Sequence, residues 1–162
     1  MIHVRGILVI ILLMMSMPEP PLAHYAHHGK VLLPDSTVTP GVVRTTSAHE
    51  ICMSTFRTGP FRNTTQSEKN KVYAEYGVTR NKGICAGGCE VDHLIPLELG
   101  GLDDIRDLWP QPSQPAPAFH EKDKLENYLH RQVCAGKMAL TDAQAIIRTD
   151  WYAAYLDMEK SK

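Results

Sequence analysis

The spacing of apolar residues along this chain changes several times, and each change predicts a different element. From Gly6 to Met17 every residue is apolar except Ser16, with Arg5 ahead of the run and Pro18, Pro20 and Pro21 behind it. A dozen apolar residues fall short of the roughly 20 that a spanning helix needs. A cation, then an apolar run, then helix breakers is the order of a secretory leader, so residues 1–23 are expected to be a signal peptide, with an uncleaved anchor as the alternative. Residues 24–33 carry His24, His27 and His28 without a clear period and are expected to be a flexible tract. One domain is expected over residues 34–162. Its first part, to residue 65, holds Pro34, Pro40, Gly41, Gly59 and Pro60 and predicts irregular structure with short extended pieces.

Regular elements follow. Ser67 to Tyr76 reads as a helix stopped by Gly77, with Val72, Tyr73 and Tyr76 on its apolar side. Glu90 to Leu97 reads as a short strand ended by Pro96, and Gly100-Gly101 as a turn. Leu108-Trp109 reads as a return strand, broken off where Pro110, Pro112, Pro115 and Pro117 begin. Phe119 to Cys134 predicts a helix stopped by Gly136. At 100° per residue Leu125, Leu129 and Val133 share one side, and His120, Asp123 and Asn127 the other. Thr141 opens a last helix, with Gln144 completing an expected capping box. Its stripe of Ile147, Trp151, Ala154, Tyr155 and Met158 is core packing.

Composition alters this picture little. Of 162 residues, 43% are apolar and 22% charged, an ordinary globular balance. The net charge is −1, unlike a protein that tracks DNA by bulk charge. Its distribution is uneven, however. From Arg57 to Lys82 six Lys/Arg face two Glu, a local +4; from Glu90 to Glu126 nine Asp/Glu face three Lys/Arg, a local −6. One segment suits phosphates and the other a cation. The cysteines follow from export. Cys52, Cys85, Cys89 and Cys134 are an even set in a chain bound for an oxidising compartment. Ala-Gly-Gly lets Cys85 close on Cys89, which leaves Cys52 for Cys134. A zinc site made by all four is the competing reading.

The chemistry sits at Asp92-His93. Phosphodiester hydrolysis needs a base for water, a cation for the developing charge, and ligands for that cation. Histidine suits the first and carboxylate with imidazole the last. Neighbours on a strand point to opposite faces, so both reach one site only at a strand end or distortion. No zinc-protease helix, phosphate loop or nucleotide fingerprint is present.

Three stretches surround that pair: Cys89-Glu-Val-Asp-His-Leu-Ile-Pro-Leu-Glu-Leu-Gly-Gly101, then Asp107-Leu-Trp-Pro-Gln111, then His120-x-Lys-Asp-x-Leu-Glu126. With the closing Asp150-Trp151 and Tyr155, they resemble HNH-type (ββα-metal) endonucleases, and within them a group of exported bacterial HNH-like proteins. The resemblance covers roughly residues 34 to 155. It implies an α+β domain with a ββα-metal centre flanked by helices and stabilised by disulfides, acting on DNA or RNA in the periplasm or outside the cell. It implies His93 as general base, Asp92, His120 and Asp123 as ligands of one divalent metal ion (Mg²⁺, Mn²⁺ or Zn²⁺), and Asp107 at the position usually held by Asn. An Asp there accepts hydrogen bonds but cannot donate, and its charge near the metal has three expected alternatives: a retuned metal choice, a raised His93 pKa, or a scaffold with little activity. Lys122 reads as a solvated surface cation, His130 as surface, His49 as outside any motif, and Glu98 and Trp109 as structural. The favoured expectation is a metal-dependent endonuclease. The alternative is an inactive HNH-like fold serving as a binding or envelope-associated protein.

Overall fold

The computed structural model describes residues 25–162; the expected leader and His24 lie outside the described residues. The elements are β1 (Tyr25–His28), β2 (Val31–Pro34), α1 (Ala48–Ile51), α2 (Gln66–Glu75), β3 (Cys89–His93), β4 (Leu108–Pro112), α3 (Phe119–Cys134) and α4 (Leu140–Lys160). The strands form two separate antiparallel hairpins, β1–β2 and β3–β4. The class is α+β, and two disulfides join Cys52 to Cys134 and Cys85 to Cys89.

The tract expected to be flexible is the first hairpin. Its register pairs Tyr25 with Pro34 and His28 with Val31. Val31 and Leu33 are buried in the main core, and the Tyr25 hydroxyl donates to the Pro110 carbonyl at 2.5 Å. Burial of alternate β2 side chains supplies an anchor that a histidine-rich stretch does not announce.

The return strand also differs. It runs through Pro110 and Pro112, which pair with Val91 and Cys89. The Ser113 amide donates to the Gly88 carbonyl across the hairpin, so odd-numbered amides of this strand face β3 and even-numbered ones face away. Both prolines fall where a missing N–H costs no ladder bond.

α2 begins one residue before the expected Ser67, under a capping box made by Thr65 and Glu68. α3 has the expected bounds. Its N-cap is Ala118, which has no side chain to cap with, and the Glu121 carboxylate instead accepts from the Ala118 amide at 2.9 Å. The expected Thr141–Gln144 box is absent. Gln144 is buried and donates to the carbonyls of Thr45 and Leu99 at 2.9 and 2.7 Å, fastening α4 to two loops. Inside α4, Asp150 leaves helical geometry at φ −162°, ψ 90°. Its carboxylate accepts from the Ala153 amide at 2.9 Å and restarts the helix as an N-cap does. The other oxygen lies 2.7 Å from His28 Nδ1.

α3 and α4 pack Leu125, Leu129 and Val133 against Leu140, Ala143, Ile147, Trp151 and Met158, with Trp109, Leu94 and Ile95 in the same core. Between β3 and β4 the chain turns at Gly100 and Gly101. Gly100 holds φ +79°, and a Cβ on Gly101 would lie 1.8 Å from the Ile95 carbonyl oxygen. Only glycine fits there.

The two disulfides differ in the loop they close, with sequence separations of 82 and 4. Replacing Cys52 and Cys134 with alanine is expected to cost about 4–5 kcal/mol in denaturant unfolding, and replacing Cys85 and Cys89 about 2 kcal/mol. Equal losses in the two variants would refute this entropic ranking.

Candidate functional site at the end of the second hairpin

Asp92 and His93 are the last two residues of β3, facing Trp109 and Leu108 of β4. The alternation of a strand sends their side chains to different partners. Asp92 meets Lys122 of α3; His93 meets Asp103 in the loop after the Gly100-Gly101 turn.

Lys122 is fully buried, at 0% exposure. Its ammonium donates to Asp92 Oδ2 at 2.8 Å, to the His93 carbonyl at 2.7 Å, and to Glu126 one turn along α3. Three acceptors match the three protons of an ammonium. Burial alone would push a lysine pKa down; Asp92 and Glu126 outweigh it and hold Lys122 above the ordinary range. Burial pushes the Glu126 carboxyl up, with the Lys122 charge opposing. The expectation that Lys122 is solvated is therefore wrong. The helical wheel held the signal: Lys122 lies three residues before Leu125 and seven before Leu129, on the apolar stripe.

His93 is 3% exposed, and its Nε2 lies 2.8 Å from Asp103 Oδ1. Asp103 also accepts from the Asn63 amide and the Thr64 hydroxyl. Burial pushes its carboxyl up, but the bonds from Thr64, Asn63 and His93 outweigh that and hold it below the usual range. An ionised carboxylate only accepts, so Nε2 carries the imidazole proton and Nδ1 is the basic nitrogen. Burial lowers the His93 pKa more than Asp92 and Asp103 raise it. Of the alternatives attached to an Asp at position 107, the upward shift of His93 does not occur. Asp103 has no sequence signal, because its role depends on a loop folding back over ten residues.

Asp107 lies in the short 3₁₀ turn before β4 and is 0% exposed. Its Oδ1 accepts from the amides of Ile95 at 3.0 Å and Val42 at 3.3 Å. Its Oδ2 is buried without a partner. Burial pushes its pKa up to about 9, so the group is neutral at pH 7 and adds no charge beside the histidine. Asp107 ties the turn after β3 to the segment near Val42 and does not touch His93 through any of these bonds.

The remaining nominated ligands point outward. The side chains of His120 and Asp123 are 76% and 57% exposed and 4.0 Å apart. Among the described residues, the one set of three or more His, Cys, Asp or Glu ligand atoms lying within 4.8 Å of one another is Cys52, His130 and Cys134, and both cysteines are in a disulfide. Asp92, His120 and Asp123 do not form such a set, and Asp92 presents its Oδ2 to the Lys122 ammonium. His130 is partly buried, with Nε2 3.2 Å from the Ile51 carbonyl, rather than on the surface. Trp109 is fully buried, as its pattern predicts. Compared with known proteins, the chain matches no family model, no curated protein and no solved structure.

Two predictions follow from these burials. An acid whose folded pKa is about 9 binds more protons folded than unfolded between about pH 4 and that value. Its contribution is complete below about pH 4 and is lost as pH rises toward 9. Asp107→Asn is thus expected to raise stability by roughly 1–3 kcal/mol at pH 8 and to bring no gain at pH 4. Urea midpoints at the two pH values test this, and an equal shift at both would refute it. Lys122→Met is expected to cost roughly 3–5 kcal/mol at pH 7, because the half-buried Asp92 and Glu126 lose the cation between them. Adding Asp92→Asn and Glu126→Gln to Lys122→Met should recover most of that loss. A triple variant as unstable as the single one would show that packing, not charge, is what Lys122 supplies.

Proposed function

We propose that this chain is an exported protein on an HNH-like ββα scaffold that binds the phosphodiester backbone of nucleic acid without cutting it. The observation that carries the non-cleaving half of this reading is the buried Lys122 ammonium between Asp92, the His93 carbonyl and Glu126; the binding half rests on the resemblance and on the local excess of cations from Arg57 to Lys82. A catalytic cation must face the phosphate to stabilise charge developing on it. This one faces three internal acceptors and no solvent. His93, at 3% exposure, is likewise out of reach of a scissile phosphate in this arrangement. The centre then works as a clasp that fixes β3 and α3 relative to one another. Export is supported by the expected leader and by two disulfides; among the described residues no helix is long and apolar enough to cross a membrane.

A second reading, metal-dependent endonuclease action on DNA, is favoured by one feature. The His93–Asp103 pair holds an imidazole in a single tautomer with Nδ1 basic, which is how a general base is prepared.

The deciding experiment uses the purified, disulfide-intact protein with supercoiled DNA and Mg²⁺, Mn²⁺ or Zn²⁺. The expected result is a gel shift without nicking, and no stoichiometric uptake of Mn²⁺ or Zn²⁺ in calorimetry. Nicking that falls by roughly 10²–10⁴-fold in His93→Ala, the usual size of a general-base contribution, would select the endonuclease reading. A wild-type protein that neither shifts nor nicks DNA would sink both.

A further inference from the structure

Beside the clasp, and sharing Asp92 with it, lies a cleft of about 300 Å³ lined by Arg62, Lys69, Tyr73, Arg80, Glu90 and Asp92, among others. Its cations come from three separate places. Arg62 follows the turn at Gly59–Phe61, Lys69 is on α2, and Arg80 is in the loop beyond α2. Among the described residues, none of the three is ion-paired with a carboxylate. Elsewhere on the surface Lys124, Lys160 and Lys162 each have an acidic partner three residues earlier in the chain.

The walls that carry these charges are braced. The residues after Arg62 are held by Asp103, which accepts from the Asn63 amide and the Thr64 hydroxyl while also binding His93. Arg62 is near enough to His93 and Glu90 to perturb both electrostatically. The Tyr73 hydroxyl donates to the Cys89 carbonyl at 2.9 Å, and Cys89 is fixed by its disulfide to Cys85. The Arg80 guanidinium lies over the Tyr73 ring, 6.0 Å from its centroid. A guanidinium held over a ring, as Arg80 is, loses less freedom on meeting an anion than a free surface lysine does.

We propose that Arg62, Lys69 and Arg80 form a subsite for the phosphates of a nucleic-acid strand, an inference that rests on the backbone-binding reading above. Two guanidinium forks match phosphate oxygens in pairs, and the ammonium adds a point charge between strand and helix. Glu90 and Asp92 line the same cleft and repel an anion from its far end, so the phosphates seat toward α2 and the strand leaves along that side. The Glu90 carboxyl, pushed up first by burial and then by Asp92 and Asp123, marks that end as already crowded with negative charge.

The test is fluorescence anisotropy with a short fluorescein-labelled single-stranded DNA, across a salt series. Arg62→Ala, Lys69→Ala and Arg80→Ala are each expected to weaken binding about tenfold and to reduce the slope of log K against log salt by about 1. Lys137→Ala, an exposed cation beyond α3, serves as the control and should change neither. Circular dichroism confirms that each variant folds. If the wild type binds and the three variants bind equally well, the subsite is wrong and the backbone-binding reading stands. If the wild type binds no DNA, that reading fails, and pyrophosphate titrated by NMR then judges the cleft alone. Shifts confined to these residues, abolished in Arg80→Ala, would keep it as a phosphate site; no shifts would overturn it. Tighter binding to polygalacturonate than to DNA would also overturn it, by showing a preference for carboxylate polymers.

Discussion

An ammonium buried away from solvent must find a partner for every proton, and Lys122 does so in a way that fixes α3 against β3. Asp92 is a β3 side chain, the His93 carbonyl is β3 backbone, and Glu126 is one turn along α3. A shift of α3 along its axis by one residue would leave at least one partner unmet in the interior. Apolar packing by Leu125, Leu129 and Val133 supplies much of the driving force for docking α3, but it tolerates sliding. The clasp does not, so it selects one register. Breaking such a group is costly even where its net contribution to stability is small.

The same centre contains two aspartates in opposite states, set by their surroundings. Asp103 receives three hydrogen bonds and stays ionised. Asp107 receives two amide bonds on one oxygen, leaves the other bare, and is neutral at pH 7. The first holds an imidazole and the segment bearing Arg62; the second holds the turn after β3. That division keeps the interior near His93 from accumulating negative charge, while Glu90, Asp92 and Asp123 are left at the outer end.

Around this centre the chain is fastened at its margins. Cys52–Cys134 ties the early loops to the end of α3, and Gln144 ties them to α4. Asp150 both restarts α4 and lies against His28, so the first hairpin closes over the core instead of hanging free. Tyr25 completes that closure through the Pro110 carbonyl.

Much of this was legible in the residues. α3 follows from its 3.6-residue stripe and the Gly100-Gly101 turn from a doublet whose second member has no room for a Cβ, whereas the strand expected over Glu90–Leu97 begins at Cys89 and ends at His93, before the apolar run. The cysteine pairing follows from loop closure and compartment. These are local patterns, or constraints that act along the chain, and a sequence displays them directly. The centre was legible only as a set of polar residues. Asp92 and His93 were found, but their partners were not, since Asp103 and Lys122 meet them across separations of 10 and 30 residues. Whether Lys122 is solvated or buried, whether Asp107 is charged, and whether His120 turns toward Asp92 depend on desolvation and on which atoms fill the remaining space. Both are set by packing between elements distant in sequence, so the tertiary structure decided them.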